Sequence, residues 1–227
     1  MSSSVPRKRI RKDPAARRAE IVDAAAGVAL SEGLECVTLR RIAEELAVRP
    51  GLISHYFPSA EDLVAEAFGS AASAEIDALL PEERPEGTPT EHLARFLART
   101  TGEAYDAVSR LWINARHLSR YREVLRERVA VQEAAWRARL EGLIRQGVES
   151  GEFRTADPLV TTLQILVVLD GLGVDVNVGD EDLPEAVARM AFLTAERELG
   201  LDPGTLTRAA EPGVSPADAP PGSPAAR

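Results

Sequence analysis

The sequence predicts an all-α protein, and three observations support this fold class. Long windows rich in Ala, Leu, Arg and Glu are separated by short Pro/Gly breaks, and these four residue types lose little conformational freedom in a helix. Apolar residues recur at the spacing of one helical face, as in Ile21, Ala24, Ala25 and Val28. The chain contains no run of alternating β-branched residues that would indicate a strand.

Composition indicates a soluble protein with a substantial core. The chain has 227 residues, of which 44% are hydrophobic and only 4% aromatic, so aliphatic side chains fill one or two domains. A lone cysteine, Cys36, excludes an internal disulfide and suits a reducing cytoplasm. We expect it to be a small apolar filler, with a redox role as the alternative. The basic start lacks the apolar stretch of a signal peptide, and the most apolar run, residues 165–169, is too short to cross a bilayer.

Residues 38–57 are predicted to form two short helices joined by a tight turn. The first helix follows the cap residue Thr38 and ends at residues 47–48. The second begins at Arg49-Pro50, because proline is accepted in the first turn of a helix, and ends at Pro58. The apolar positions of the pair are Leu39, Ile42, Ala43, Leu46, Ile53 and Phe57.

An earlier helix, from Pro14 to Ser31 with Gly33 at its end, braces this pair. Three helices arranged in this way indicate a helix-turn-helix, the motif that places its second helix in the major groove of DNA.

The charge distribution fits a protein that binds DNA at one end. The net charge is −9, but residues 1–60 carry ten Lys/Arg and seven Asp/Glu, which leaves −12 for the remainder. Phosphate attraction acts locally, because distant charges are screened within about 10 Å at moderate salt. A basic head on an acidic body therefore permits a nucleic-acid partner despite the overall charge.

The segment IAEELAVRPGLISHYFPSAEDL, residues 42–63, resembles the DNA-binding signature of the TetR family of bacterial transcriptional regulators. The ending His55-Tyr56-Phe57 is most similar to the branch that includes the choline-responsive repressor. Three residues depart from the family pattern. Ala47 stands where the turn often has glycine, Ser54 where many members have tyrosine, and Ala60 where a lysine usually meets a DNA phosphate.

The second short helix supplies the candidates for reading bases. Arg49, Pro50, Gly51, Leu52 and Ser54 are expected to face the major groove. Arg49 is the strongest candidate, because a guanidinium can bond guanine O6 and N7 together, and Gly51 permits close approach of the backbone.

Phosphate contacts are expected on both sides of this helix. The resemblance implies them for Thr38, Arg40, His55 and Tyr56, although His55 and Tyr56 could instead pack against the first helix. Arg17 and Arg18 could touch phosphate or form salt links with the neighbouring Glu20 or Asp23.

The first twelve residues, MSSSVPRKRIRK, form a dense basic arm that is expected to be disordered alone. Arg7, Arg9 and Arg11 could enter a minor groove beside the helix-turn-helix, where the negative potential attracts arginine. The alternative is a solvated tail.

The body continues with further helices. Ser59 caps a helix rich in apolar residues, and residues 81–90 form a loop. Helices follow from Thr90, with a break near residues 117–120, and a long helix ends near Ser150. A helix beginning at Asp157-Pro158 is apolar nearly all round, which indicates burial on more than one side. With a last helix at 183–199 it is predicted to form a four-helix interface in a homodimer.

We therefore divide the chain into four parts. They are a disordered basic arm at 1–13, the helix-turn-helix domain at 14–60, a helical regulatory and dimerisation domain at 61–201, and a disordered Pro-rich tail at 202–227.

The resemblance also implies a pocket for a small-molecule effector within the body, which would change operator affinity. The candidates are Tyr105, Trp112, Asn114, His117, Trp136, Gln164 and Asp170, each of which could equally be core or rim. Trp112 and Trp136 with Asp170 would suit a cationic ligand.

Catalysis is not expected. The sequence has no Walker loop, GxSxG, HExxH or Cys/His metal-ligand spacing, and its three histidines are scattered, with His92 read as an exposed first-turn residue. We thus predict a cytoplasmic homodimeric repressor that binds a palindromic operator and is released by a small molecule, without cofactor, metal or membrane partner. The alternative is a dimeric DNA-binding regulator controlled by a protein partner or constitutive.

Overall fold

The computed structural model describes residues 13–101, 105–178 and 183–210. In these ranges the secondary structure is helical without strands, as the sequence predicts. The helices are α1 (Pro14–Glu32), α2 (Leu39–Glu45), α3 (Pro50–Tyr56), α4 (Ala60–Leu79), α5 (Pro89–Thr100), α6 (Asp106–Ser119), α7 (Glu123–Glu149), α8 (Pro158–Val178), α9 (Glu185–Ala188), α10 (Met190–Glu198) and α11 (Thr205–Ala210). A short 3-10 turn, Leu34–Cys36, connects α1 to α2.

The described helices fall into two compact units. The first lies within Met1–Ala78 and Asp106–Trp136, and the second within Leu79–Tyr105 and Arg137–Arg227. This division differs from the predicted boundary at residue 60. The helix-turn-helix shares its unit with α4, α6 and the first half of α7, because a core of three short helices buries too little apolar area by itself.

The core of the first unit joins the helix-turn-helix to its bracing helices. Aliphatic side chains from α1 to α4 are fully buried, together with Phe57 and Phe68. Arg18 stacks its guanidinium 4.7 Å from the centre of the Phe57 ring and pairs with Glu66 of α4. The hydrogen bond to Glu66 raises the pKa of Arg18. Arg18 therefore joins α1 to α4 and to the end of α3, through Glu66 and not through the Glu20 or Asp23 partners that the sequence suggested.

In the second unit, α5 begins with a capping box. Thr88 Oγ1 accepts from Glu91 N, and Glu91 Oε2 accepts from Thr88 N. His92 is buried, not exposed as the sequence suggested, because the loop before α5 folds over the first turn. Burial and the nearby guanidinium of Arg95, whose Nη2 lies 3.1 Å from His92 Nδ1, lower the pKa of His92.

The long helix α7 ends in a tight reversal. Gly151 has φ +79°, and Phe153 packs back on Gly147, where an added Cβ would lie only 2.1 Å from the ring. Glycine is therefore required at position 147, because a side chain there would displace the buried Phe153 ring.

Helix α8 carries an apolar stripe that the single chain leaves uncovered. Val160 and Leu163 are exposed, and Val167 is 68% exposed. Met190 and Leu193 of α10, which packs on α8, are also exposed. By length and composition alone, residues 158–177 could cross a membrane, a longer apolar segment than the sequence indicated. Asp170 and Asp175 lie within it, and ionisable residues are costly in a bilayer.

The end of the chain departs from the predictions in two places. The last helix of the body is interrupted at Arg189, which separates α9 from α10. Part of the predicted disordered tail is helical, since α11 packs on α5 with Leu206 buried. The carboxylate of Glu196 in α10 accepts hydrogen bonds at 2.9 Å from Gly204 N and Leu206 N. This long-range cap explains why Thr205–Ala210 folds despite the Pro-Gly before it. The rest of the predicted tail, residues 211–227, lies outside the described residues.

Candidate nucleic-acid interface

The turn between α2 and α3 has the geometry of a Schellman motif. Thr38 Oγ1 accepts from Arg41 N at the start of α2. At its end, Val48 N bonds Ala43 O at 2.9 Å and Ala47 N bonds Glu44 O at 3.1 Å. Ala47 has φ +51°, the left-handed conformation that such a turn requires. The departure from glycine at this position therefore leaves the turn intact, at a cost of about 1–2 kcal/mol in backbone strain.

Helix α3 is held by its apolar side and open on the other. Ile53 and Phe57 are buried, as predicted, and Ile42 of α2 meets them from the opposite side of the motif. Pro50 occupies the first turn of α3, after Arg49 in extended conformation. The apolar spacing of α3 thus fixes which of its residues face outward.

The residues predicted to contact DNA lie mostly on this outward surface. Thr38, Arg40, Arg49, Pro50, Gly51, Ser54 and His55 are exposed, and Leu52 and Tyr56 are half-buried. No atom lies within 4 Å of where a Cβ on Gly51 would be, so the backbone there is accessible. The contacts of these residues with DNA stay predictions.

Arg49 differs from the other arginines of the motif. Among the described residues, its guanidinium forms no hydrogen bond or ion pair. Arg40 pairs with Glu44 at 2.9 Å, but its side chain is 85% exposed, and such pairs contribute little stability and open readily. Both guanidinium groups are therefore available to an anionic partner.

Other basic residues near the motif are committed to internal pairs. Arg41 joins Glu32 of α1 at 2.5 Å and Glu45 at 2.8 Å, and the hydrogen bonds from these carboxylates raise the pKa of Arg41. Arg17 pairs with Glu20 at 2.6 Å. The pair between Arg41 and Glu32 holds α2 against α1. The guanidinium groups of Arg17 and Arg41 are thus paired with carboxylates and do not face outward as free cations.

The remaining predictions for this surface have mixed outcomes. The rings of His55 and Tyr56 contact edge to face, with centroids 5.2 Å apart, and the choice between phosphate contact and packing stays open. Arg7, Arg9 and Arg11 lie outside the described residues. Cys36 is exposed, so it does not fill the core as the sequence suggested.

The residues predicted for an effector pocket are divided between the two units, and the pocket stays a prediction. Trp112, Asn114, His117 and Trp136 belong to the first unit, whereas Tyr105, Gln164 and Asp170 belong to the second. Trp136 is buried, Tyr105 is half-buried and Asp170 is exposed. Gln164 has a buried Oε1 without a hydrogen-bond partner among the described residues. His117 lies at the surface with its ring 5.9 Å from that of Tyr121.

Trp112 is paired with an acid that sequence reasoning missed. Its Nε1 donates to Glu75 Oε2 at 2.8 Å, its ring meets Phe68 edge to face at 5.0 Å, and the guanidinium of Arg116 lies 5.2 Å from it. Glu75 is only 9% exposed. A signal was present, because Glu75 occupies a position on the apolar stripe of α4 that includes Phe68 and Ala72.

Asn114 has a structural partner instead of a ligand-facing position. Its Oδ1 accepts from Leu34 N at 2.9 Å, and its Nδ2 donates to Glu35 Oε1 at 2.6 Å. It therefore joins α6 to the connector between α1 and α2.

Two family models match the chain. The model for bacterial regulatory proteins of the tetR family matches residues 21–67, and the model for the C-terminal domain of BetI-type transcriptional repressors matches residues 89–199. The chain belongs to the TetR family. Members of this family are DNA-binding transcriptional regulators and not enzymes. A search of curated proteins finds no match.

Solved structures share this fold at low sequence identity. A transcriptional regulator from Saccharomonospora viridis in complex with choline is 22% identical, with 80% of this chain and 95% of that chain covered and a TM-score of 0.66. A TetR-family regulator from a Rhodococcus species is 22% identical, with 82% and 99% covered and a TM-score of 0.68. The regulator FadR from Bacillus subtilis in complex with stearoyl-CoA is 20% identical, with 80% and 97% covered and a TM-score of 0.58.

The positive φ of Ala47 generates a prediction about the turn. Replacing Ala47 with glycine should raise the free energy of unfolding by roughly 0.5–1 kcal/mol, because glycine adopts this conformation without strain and loses only part of the gain to chain entropy. Chemical denaturation measures the change. Ala74→Gly on the exposed side of α4 is the control and should cost about 1 kcal/mol. Equal losses in both variants would contradict the assignment of strain to Ala47.

Proposed function

We propose that the protein is a ligand-responsive transcriptional repressor that binds a palindromic operator as a homodimer and leaves it when a small molecule binds. The observation that carries this proposal is the outward surface of α3, where Arg49 is exposed and has no partner within the part of the chain that the structure describes. Repression would follow from occlusion of a promoter near its own gene. A cytoplasmic location is part of the same proposal.

In the proposed complex, α3 lies in the major groove with its N-terminal residues toward the bases. Arg49 bonds a guanine through O6 and N7, and Gly51 and Ser54 lie close to neighbouring base edges. Thr38, Arg40, His55 and Tyr56 contact phosphates on either side, and the arginines of the N-terminal arm follow the minor groove. Arg49 thus determines sequence preference, while the phosphate contacts determine register.

The proposed dimer interface is the apolar stripe of α8 and α10. Soluble monomers rarely expose contiguous apolar patches of this kind, and Val160, Leu163, Val167, Met190 and Leu193 form one continuous set on two packed helices. Two copies related by a two-fold axis would bury the same surface on each chain and create a four-helix interface. A two-fold dimer in turn requires an operator with matching half-sites.

The proposed effector site lies in the first unit around Trp112. Glu75 and the rings of Phe68 and Trp112 combine a buried carboxylate with aromatic faces, which is the chemistry that recognises an organic cation. Glu75 takes the role that the sequence assigned to Asp170. The S. viridis regulator binds choline and FadR binds stearoyl-CoA, so the fold accepts ligands of either charge. The carboxylate is what favours a cation here.

The second candidate is a dimeric regulator without a small-molecule ligand. It is favoured by the hydrogen bond that Glu75 already makes to Trp112, since a satisfied polar pair can serve the core alone. The two functions differ in whether any small molecule changes operator affinity.

Replacing Arg49 with alanine should weaken binding to the operator by roughly 1–3 kcal/mol and relax the preference at one base pair of each half-site. The operator is first mapped by footprinting on DNA upstream of the gene, and affinities are then measured at fixed salt. Arg40→Ala is the control, which should weaken binding to matched and scrambled DNA alike. If Arg49→Ala also weakens binding to matched and scrambled DNA equally, Arg49 is a phosphate contact.

Replacing Val167 with glutamate should convert the dimer to a monomer of 24.4 kDa, because the substitution buries an unpaired charge in the interface. Light scattering at micromolar concentration measures the mass. Val131→Glu is the control, since Val131 is 58% exposed on α7 outside the proposed interface. A wild-type monomer would refute the interface.

Quaternary ammonium compounds should release the protein from its operator. Glu75→Gln should weaken that response by about tenfold or more, because the carboxamide keeps an acceptor for Trp112 but loses the negative charge that attracts the cation. Asp170→Asn is the matched control and should respond normally. Release by anionic acyl thioesters alone would refute the cationic class. No response to cationic, anionic or neutral compounds would favour the second candidate.

A further inference from the structure

The connector between α1 and α2 depends on a side chain from a distant helix. Gly33 has φ +103° and ψ 159°, a conformation essentially restricted to glycine. Leu34 follows, fully buried, and the connector ends at Val37, directly before the cap of α2. An N–H group at the start of such a turn has no partner within its own segment. That of Leu34 is bonded by Asn114, eighty residues later in the chain.

The orientation of the Asn114 amide is fixed by its two partners. A backbone N–H can only donate and an ionised carboxylate can only accept. The Oδ1 atom must therefore face Leu34 N, at 2.9 Å, and the Nδ2 atom must face Glu35 Oε1, at 2.6 Å. Neither bond survives a flip of the amide. We call this pair of bonds the Asn114 fork.

We infer that Asn114 is a positioning residue for DNA binding, which acts through the connector without touching DNA. This inference rests on the proposed use of the α2–α3 surface. Thr38, the predicted phosphate contact, lies four residues after Leu34, and it caps the helix that supports α3. A connector that loses the fork leaves Leu34 N–H unsatisfied and allows Thr38 and α2 to shift away from the arrangement that fits the duplex.

Apolar packing also restrains this end of α2, since Leu34 and Val37 are buried and α2 packs on α1 and α3. The pair Arg41–Glu32 also ties α2 to α1, but both side chains are about one-third exposed, so solvent and salt weaken it. Of the two bonds of the fork, the one from Leu34 N is part-buried and the one to Glu35 is exposed. Together they join the connector to a different helix, α6. Salt should therefore weaken the Arg41 pair more than the bond between Leu34 N and Asn114.

The first part of the test follows the connector itself. Hydrogen exchange at the Leu34 amide should be slow in the wild type and faster by about tenfold or more in Asn114→Ala. Amides in the middle of α4 should keep their protection. Equal loss across both regions would mean a general loss of stability, and unchanged protection at Leu34 would overturn the fork.

The second part uses an exchange of partners. Asn114→Asp places a carboxylate opposite Glu35 and should weaken operator binding about tenfold. The double variant Asn114→Asp/Glu35→Gln has the wild-type charge. Leu34 N still donates to position 114, and the bond between positions 114 and 35 is restored with its polarity reversed, so the affinity should return to within about threefold of the wild type. Arg110→Gln, which changes the charge of α6 as Asn114→Asp does but alters neither bond of the fork, is the control.

The outcomes separate this inference from the proposed function. Failure of the wild-type protein to bind upstream DNA would refute the operator proposal, while exchange at Leu34 would still report on the fork. Loss of Leu34 protection in Asn114→Ala with unchanged operator affinity would overturn the positioning role. Absence of rescue in the double variant, with the Arg110→Gln control at wild-type affinity, would overturn it as well.

Discussion

The burial of Ile53 and Phe57 is the constraint on which the DNA-binding surface depends. Helix α3 has seven residues, and a helix this short is not stable alone in water. Its position is set by the two side chains that it buries, and Arg18 covers the Phe57 ring while it pairs with Glu66. The same register that turns Ile53 and Phe57 inward turns Arg49, Gly51 and Ser54 outward. The helical register that buries Ile53 and Phe57 therefore also determines which side chains face outward.

Among the described residues, most arginines near this surface are paired with carboxylates. Arg17, Arg18 and Arg41 are held by carboxylates within the first unit, and Arg40 is in a weak exposed pair. An acidic body does not prevent association with DNA, because its charges are screened over a few Debye lengths. In the proposed complex this arrangement favours specificity, because Arg49, unpaired among the described residues, would make a directional contact that a general basic patch would not.

The fold and the helix-turn-helix followed from sequence because both are set by local patterns. Apolar spacing, the cap Thr38 and the proline at position 50 specify α2 and α3 without any distant contact. The residues that sequence reasoning misplaced depend on partners far along the chain. The sequence does not indicate that Asn114 bonds Leu34 and Glu35, about eighty residues away, and α11 depends on Glu196 in the preceding helix. Burial of Glu75 and His92 likewise depends on tertiary packing, although the position of Glu75 on the apolar stripe of α4 indicated that it is buried.

An effector must supply about 1–3 kcal/mol of coupling to change operator affinity usefully. Displacing Ile53 and Phe57 would cost more than this, since each large side chain buried in a core is worth about 1.5–3 kcal/mol before any cavity is counted. The bonds of a half-buried amide are nearer the required size, at about 1 kcal/mol each. In the proposed function, an effector would therefore act through the connector while the packing of α3 stays intact, so that the proposed recognition surface would be the same in both states.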